Sequence, residues 1–312
     1  MSSANQKGGC GKSTTAIDLA AGLSLKGYKV LLIDADPQTD TSRVFTHPET
    51  EPPKEKTLYS VIIRFSPLSP VIRETRFDNL HFVPSHIRLS SADLELANSF
   101  DNRSERLKKA IDRVKRRYDY IIIDNPPSLG LLTINSFVAS DRILIPVSTG
   151  FFALTGLVQL QETIDMVQQT ELNPDLGILG VLCTFSERTN VSRDVEEQLR
   201  DYFGDLVFET VIPKNVSLEE AHSNHTHIFD YAPNSKGAKA YKALVGPVRR
   251  QPELLLYLDQ DTQVIPVVIY PLLLQEISGL AVAIRRQQGR LCRPGHCPTA
   301  GLVHPHPSLL PA

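Results

Sequence analysis

The chain has little of the composition that marks a secreted or strongly basic protein. Its 312 residues include four scattered cysteines, which do not resemble a disulfide framework, and the N-terminus lacks the pattern of a signal peptide. A net charge of −2 excludes a generally basic nucleic-acid binder, so any contact with DNA requires a local patch. No internal repeat of roughly 20–50 residues occurs. These absences favour a cytoplasmic globular protein.

Lysine is absent from the last 64 residues, although 13 lysines precede them. This part is rich in proline and mostly lacks helical or strand periodicity. We therefore predict a domain over residues 1–248 and an irregular, disordered tail over 249–312. One apolar stretch, 264–284, contains two prolines as well as Gln275 and Glu276. That composition argues against a membrane span.

A glycine-rich loop at residues 6–15 carries the strongest functional signal. Glycines let backbone N–H groups surround phosphate oxygens, Lys12 supplies charge to the β- and γ-phosphates, and the Ser13 hydroxyl can ligate Mg²⁺. The usual first glycine of such a loop is replaced by Gln6, and an extra lysine, Lys7, follows. The predicted nucleotide contacts in the loop are Gly8, Gly9, Cys10, Gly11, Lys12, Ser13 and Thr14.

Apolar runs alternate with amphipathic segments along the chain. This alternation predicts an α/β fold with a mostly parallel sheet covered by helices on both faces. The predicted strands cover residues 28–34, 80–84, 118–124, 142–147, 176–184 and 207–212. The predicted helices cover 14–26, 104–117, 153–170, 191–203 and 235–246.

Aspartates follow two of the predicted strands. Asp34 and Asp36 end the first, and Asp124 ends the run at 118–124. Ligands of such sheets bind beyond the carboxyl ends of the strands, and Mg²⁺ prefers oxygen ligands. We predict that Asp124 holds the Mg²⁺ shell and that Asp34 or Asp36 orients an attacking water. Each element alone also fits a turn or a helix cap, but the combination favours phosphoryl-transfer chemistry.

The combined motifs resemble one family. Residues Lys7–Ser13 resemble the deviant Walker A motif of the ParA/MinD ATPases, Leu31–Gln38 their Walker A′ motif, and Asp124–Thr133 their Walker B segment. Four further stretches resemble the ParA/Soj branch: Phe152–Leu157, Arg188–Asn190, Val211–Val216 and Tyr231–Tyr241. The resemblance covers roughly residues 4–247 and implies a P-loop NTPase fold.

The resemblance also implies a function. Proteins of this family are Mg²⁺-dependent ATPases that form homodimers with ATP and bind DNA non-specifically. A ParB-type partner stimulates hydrolysis, and the cycle segregates chromosome or plasmid DNA. The implied location is the cytoplasm, in association with the nucleoid, and no membrane partner is expected.

The resemblance assigns catalytic roles to particular residues. Lys7 matches the signature lysine, which reaches the partner's nucleotide across the dimer, as an arginine finger does. Asp36 matches the aspartate required for hydrolysis, and Asp34 is expected to support the Mg²⁺ shell together with Ser13 and Asp124.

Other matched positions are weaker. Pro213 and Asn215 match the region that contacts adenine, although turn formation explains them nearly as well. Arg188 and Lys214 match basic positions linked to DNA binding, and an ordinary exposed charge is the alternative for both. Three lysines on one predicted helix face could add phosphate contacts or form a solvated face: Lys236, Lys239 and Lys242.

Three other functions stay open at this stage. A MinD-like or other cargo-positioning ATPase would share the motifs. An electron carrier similar to nitrogenase iron protein would need cysteines near Asp124, where Asn125 stands instead. A catalytically impaired DNA-binding or regulatory relative is the third. It is suggested by the short Met1–Ala4 segment before the loop. Either the true start lies upstream, or the first strand is truncated, and for this polypeptide we expect reduced stability and activity.

Overall fold

The computed structural model describes residues 11–46, 52–99, 101–150, 157–249 and 263–267. The chain divides into two units at Leu272, and every described residue falls in the first unit. The strands are β1 Val30–Asp34, β2 Arg73–Glu74, β3 Leu80–Val83, β4 Tyr120–Asp124, β5 Arg142–Ser148, β6 Gly177–Thr184 and β7 Gln263–Val267. The helices are α1 Lys12–Ser24, α2 Asp40–Phe45, α3 Leu58–Arg64, α4 Ala92–Ala97, α5 Arg106–Ile111, α6 Leu131–Val138, α7 Leu157–Gln169, α8 Asn190–Phe203, α9 Val216–Ser223, α10 Ile228–Tyr231 and α11 Lys236–Arg249.

The seven described strands form one sheet in the order β2-β3-β1-β4-β7-β5-β6. Neighbouring strands run parallel except for β2 and β3, which are antiparallel. Helices cover both faces, which is why the central strands are apolar along their whole length rather than alternating. The predicted α/β fold with a mostly parallel sheet is confirmed.

Side chains of one strand alternate between two cores. Leu32 and Ile122 pack in a cluster with residues of α1 and α11, whereas Ile33 and Ile123 pack in a cluster with residues of α3, α4 and α5. All four are fully buried. This two-sided burial fixes the register of β1 and β4 because a slip by one residue would exchange the two faces.

Two sequence predictions about local structure are wrong. Residues 207–212 form no strand: Val207 makes an isolated bridge to Val181 of β6, and Pro213, just beyond the segment, makes another to Ser186. The Phe208 N–H donates to the Val181 carbonyl and the Ile212 N–H to the Cys183 carbonyl. Between these two hydrogen bonds the segment advances by four residues, whereas β6 advances by only two. This mismatch prevents a regular ladder. The helix predicted at 104–117 is limited to α5, followed by a 3₁₀ turn at Lys115–Arg117.

Part of the predicted tail belongs to the sheet. Residues Gln263–Val267 form β7, which pairs in parallel with β4 and β5. The rest of the tail lies outside the described residues, so its disorder and the boundary at 248 stay predictions. Within the described ranges, no helix combines the length and apolar character needed to cross a membrane.

Helix α1 buries a carboxyl group against the C-terminal helices. The Ile228 N–H donates to Asp18 Oδ1 at 2.9 Å, and Asp18 Oδ2 lies 3.9 Å from His222 Nε2. These last two atoms are buried and have no hydrogen-bond partner among the described residues. Burial raises the pKa of Asp18 to about 7 and lowers the pKa of His222 to about 4, so both groups favour their neutral forms.

Replacing Asp18 tests this burial through the pH dependence of stability. The folded-state pKa lies above the unfolded value, so the stabilising protonated form is lost as pH rises through about 7. Asp18→Asn keeps an acceptor for the Ile228 amide and carries no charge. We expect its free energy of unfolding, relative to the parent chain, to increase by roughly 3 kcal/mol between pH 4.5 and pH 8.

Urea unfolding of both proteins across that pH range measures the difference. His222, which faces Asp18, its neighbour His227 and the nearby Tyr241 are present in both chains, so their own titration largely cancels. A difference in unfolding free energy that does not change with pH would contradict the prediction.

Candidate functional site

The N-terminus of α1 lies at the carboxyl edge of the sheet and begins with a glycine in the left-handed region. Gly11 has φ +78°, and a Cβ there would stand 3.2 Å from the Phe185 ring. Glycine therefore satisfies both the backbone angle and the close approach. Lys12 is the first residue of α1, where free N–H groups and the helix dipole favour an anion. Lys7, Gly8, Gly9 and Cys10 lie outside the described residues, and their roles stay predictions.

Asp34 organises the segment that follows β1. Its Oδ1 accepts the Asp36 N–H at 3.0 Å, and its Oδ2 accepts both the N–H and the hydroxyl of Ser42, at 2.8 and 2.6 Å. The Ser42 hydroxyl oxygen in turn accepts the Ser85 N–H at 2.8 Å. Both oxygens of Asp34 are thus occupied by the protein, which suits a carboxylate that positions its neighbours.

Asp124 ends β4 directly beside Asp34, with which it is in register. Its Oδ2 accepts the Thr41 hydroxyl at 2.6 Å, and the Ser13 hydroxyl acts to lower the pKa of the same carboxyl group. Its Oδ1 is buried without a hydrogen-bond partner among the described residues. Because an unpaired buried carboxylate oxygen is costly, a cation or a polar group bound at this atom would stabilise it. Three separate elements, α1, α2 and β4, therefore meet at one carboxylate.

The electrostatics of this edge call for positive charge. Burial, reinforced by the neighbouring Asp124 charge, raises the pKa of Asp34 well above its ordinary value. Burial also raises the pKa of Asp124 to about 6, while Lys12 and the donors Thr41 and Ser13 oppose that rise. Burial raises the pKa of Asp36 above its ordinary value. The Gln38 N–H, which donates to Asp36 Oδ1 at 2.9 Å, and the charge of Lys12 oppose part of this rise. Lys12 therefore offsets part of the negative charge, and a bound cation would offset more.

Sequence reasoning missed three hydroxyl residues of this edge. The Thr41 hydroxyl donates to Asp124, and the Ser42 hydroxyl donates to Asp34. The Ser85 hydroxyl donates to the Asp36 carbonyl at 2.7 Å. Ser85 follows β3 closely, so the rule that ligand-binding groups follow parallel strands would have found it. No local pattern distinguishes Thr41 and Ser42 from the other hydroxyl residues of α2 and the segment before it.

The two residues predicted near adenine have structural roles. Asn215 caps α9, since its Oδ1 accepts the Ser217 N–H at 3.0 Å. Pro213 forms a bridge with Ser186. These contacts support the alternative of turn formation, and contact with adenine stays a prediction.

The predicted DNA contacts lie on two adjoining loops. The Lys214 N–H donates to the Ser186 carbonyl at 3.1 Å, which places Lys214 beside the loop that carries Arg188. Both residues are exposed. Lys214 Nζ also lies 2.9 Å from Glu187 Oε1, which offsets part of its charge. The three lysines on α11 are exposed as well, namely Lys236, Lys239 and Lys242.

Comparison with known proteins identifies relatives along most of the chain. The family model described as AAA domain matches residues 1–178. Sporulation initiation inhibitor protein Soj of Bacillus subtilis is 44% identical over 245 residues, which cover 78% of this chain and 95% of Soj. Chromosome partitioning protein ParA of Myxococcus xanthus is 43% identical over 241 residues, which cover 77% of this chain and 84% of that protein.

A solved structure shares the fold. The crystal structure of cobyrinic acid a,c-diamide synthase from Mycobacterium smegmatis with bound ATP analog and magnesium superposes with a TM-score of 0.67 at 31% identity. The match covers 83% of this chain and 96% of that chain. The parallel sheet, the glycine-led helix α1 and the strand-end aspartates define a P-loop NTPase fold.

Within that class, the chain belongs to the ParA/Soj family of partitioning ATPases. The family resemblance predicted from the motifs is confirmed.

The hydrogen bond from Thr41 to Asp124 provides a test of the site's architecture. Thr41→Val leaves the shape of the side chain nearly unchanged but removes a donor from a buried carboxylate. We expect the free energy of unfolding to fall by about 1–3 kcal/mol. Urea unfolding at pH 8 measures it.

Thr163→Val is the matched control, since the Thr163 hydroxyl donates only to the Gln159 carbonyl one turn earlier in α7. Its effect should stay within about 0.5 kcal/mol. Equal effects of the two substitutions would show that the bond to Asp124 contributes nothing specific.

Proposed function

We propose that this protein is a Mg²⁺-dependent ATPase that acts as a dimerisation switch in the segregation of chromosome or plasmid DNA. The observation that carries the proposal is the meeting of Ser13, Thr41 and Asp124 under the N-terminus of α1, with Lys12 facing the carboxylates. Relatives named Soj and ParA, and a related structure that holds an ATP analog and magnesium, support it.

The residues present suit a hydrated magnesium ion. Asp124 Oδ1 is buried and without a partner among the described residues, and Ser13 offers a hydroxyl next to it. Hard oxygen ligands of this kind match the preference of Mg²⁺, which usually keeps several waters. When bound, the ion would neutralise charge on the β- and γ-phosphates. Ser13 and Asp124 would hold it, and Asp34 would support them through Ser42 and Asp36.

Hydrolysis of ATP requires a water oxygen to bond to the γ-phosphorus while the bond from that phosphorus to the bridging oxygen breaks. ADP and phosphate leave, and one proton is released. Lys12 and the N–H groups at the start of α1 bind the phosphates and stabilise their charge. Asp36 lies at the same edge with its Oδ1 bound to the Gln38 N–H, and we assign it to orientation of the water.

The switch itself rests on the family resemblance. In the proposed cycle, ATP brings two copies together, and Lys7 of each copy reaches the nucleotide of the other. A ParB-type partner then stimulates hydrolysis and the dimer separates. Binding of non-specific DNA through Arg188, Lys214 and the lysines of α11 would associate the dimer with the nucleoid in the cytoplasm.

Two substitutions should affect nucleotide binding and ATP hydrolysis separately. Lys12→Ala removes a charge-assisted contact with phosphate, so we expect nucleotide affinity to fall about 10- to 100-fold. Asp36→Ala should bind nucleotide within a few fold of the parent chain and lose at least about 100-fold in kcat. Fluorescent-nucleotide titration and phosphate release measure the two quantities.

Asp175→Ala, at an exposed position beyond α7, is the matched control for the loss of a carboxylate. Its affinity and kcat should equal those of the parent chain. Normal turnover by Asp36→Ala would contradict the role assigned to Asp36, and absence of ATP turnover in the parent chain with DNA and partner would contradict the proposed function.

DNA binding should depend on the two adjoining loops. Arg188→Ala and Lys214→Ala each remove one cation, so each should weaken binding and reduce the slope of log K against log salt by about 0.9 if it contacts a phosphate. Lys26→Ala, at the opposite end of α1 from the site, should leave the slope unchanged. Titration of a labelled duplex between about 50 and 200 mM salt tests the loops. Equal slopes for all four proteins would exclude them.

A further inference from the structure

Phe185 has a backbone conformation that a large side chain rarely adopts. It directly follows β6 and has φ +50°, in the left-handed region. A Cβ in that region is crowded by the backbone, so an aromatic residue there is an outlier that its surroundings must hold in place. Glycine would adopt the same angle at lower cost. Residues held in this way are concentrated at functional sites, so the contacts of the Phe185 ring are informative.

The ring of Phe185 lies against Gly11, the N-cap residue of α1. A Cβ on Gly11 would stand 3.2 Å from Phe185 Cε2 and 3.7 Å from Cζ. The ring therefore approaches the Gly11 backbone as closely as the absence of a side chain allows. Gly11 immediately precedes Lys12, at the helix start that favours an anion. Because closely packed atoms transmit displacement, a shift of the Gly11 backbone would also move the ring.

The backbone that follows the ring belongs to the β6–α8 loop, residues 185–189. The Ser186 carbonyl accepts the Lys214 N–H at 3.1 Å, so this loop and the loop that carries Lys214 are held together. Arg188 and Lys214 are both exposed. One side of Phe185 thus contacts the start of α1, and the other side continues into the pair of loops that present these two cations.

We propose that Phe185 is a positioning residue that couples the start of α1 to the β6–α8 loop. A nucleotide whose phosphates bind at Gly11 and Lys12 fixes the backbone against which the ring packs, and the ring in turn holds the loop that carries Arg188. The nucleotide selects one conformation of this basic loop because it favours the state in which the ring is seated. What Arg188 contacts rests on the proposed function, whereas the coupling requires only that a nucleotide binds at the start of α1.

Hydrogen exchange at two loop amides measures the coupling. The Ser186 N–H donates to the Ile212 carbonyl at 3.1 Å, and the Glu187 N–H donates to Ser192 Oγ at 3.3 Å, so both amides exchange when the loop opens. In the full chain, saturation with a non-hydrolysable ATP analog and Mg²⁺ should slow their exchange by about tenfold or more. An unchanged rate at both amides would overturn the proposal.

Two substitutions separate the ring from the backbone strain. Phe185→Ala removes the ring and keeps a Cβ in the left-handed region, whereas Phe185→Gly removes the ring and relieves the strain. We expect both variants to bind the analog within about fivefold of the parent chain and to reduce the slowing to about twofold or less. Phe185→Tyr keeps the ring and should retain the full effect. Full slowing in Phe185→Ala or Phe185→Gly would overturn the proposal.

Phe65→Ala is the matched control, because Phe65 also has a positive φ, 55°, at the end of α3. Its ring packs on the Arg106 guanidinium, 4.0 Å from the ring centroid, rather than on the start of α1. Phe65→Ala should show the same nucleotide-dependent slowing at the loop amides as the parent chain. Loss of the slowing in this variant as well would show that the effect is not specific to Phe185 and would overturn the proposal.

Protein concentration separates coupling within one chain from protection by a second copy. The slowing at saturating analog should be the same over an about 20-fold range of protein concentration. Slowing that rises with concentration would assign the protection to a contact between copies and overturn the proposal. Failure of the parent chain to bind the analog would contradict both the proposed function and this inference, whereas binding without slowing would contradict only this inference.

Discussion

The arrangement of this protein depends on one buried carboxylate. Asp124 is fully buried at the end of β4, and its two oxygens differ: one accepts the Thr41 hydroxyl, while the other has no partner among the described residues. The cost of burying such a group raises its pKa to about 6. Lys12 and Ser13 of α1 reduce that cost, so the helix that would bind phosphate also stabilises the carboxylate. The cost of burying the carboxylate and its capacity to bind a ligand therefore have the same origin.

The neighbouring Asp34 has the same burial and a different use. Its oxygens are satisfied by Asp36 and Ser42, which are themselves connected to Ser85 after β3. A carboxylate with all its acceptors occupied by the protein holds a loop in place, whereas one with a free oxygen can accept a ligand. Both aspartates lie at a strand end, so their position alone does not distinguish their roles. Their different hydrogen-bond partners distinguish them.

The sequence predicts the parts of this site that follow from periodicity and strand ends. Buried strands ending in Asp34 and Asp124 must meet at one edge, and Gly11 and Lys12 must lie at a helix start. It could not predict Thr41 and Ser42, because their role depends on how the turn after Asp36 folds back across two strands. The segment at 207–212 shows the same limit. Its apolar pattern fits a strand, but its spacing relative to β6 prevents a ladder.

Strand β7 extends this reasoning from side chains to the backbone. The sequence does not indicate which strand a stretch of β-branched residues interrupted by Pro266 would pair with. The composition of the surrounding segment favours an irregular tail. In the sheet, residues Gln263–Val267 pair with β4 along its length, and Val267 also pairs with Leu144 of β5. Backbone N–H and C=O groups in an apolar interior are costly unless they are paired, so a strand can pair with a segment that is distant in sequence. The strand that ends in Asp124 therefore pairs with residues far from it in sequence, and no local pattern of the chain indicates that pairing.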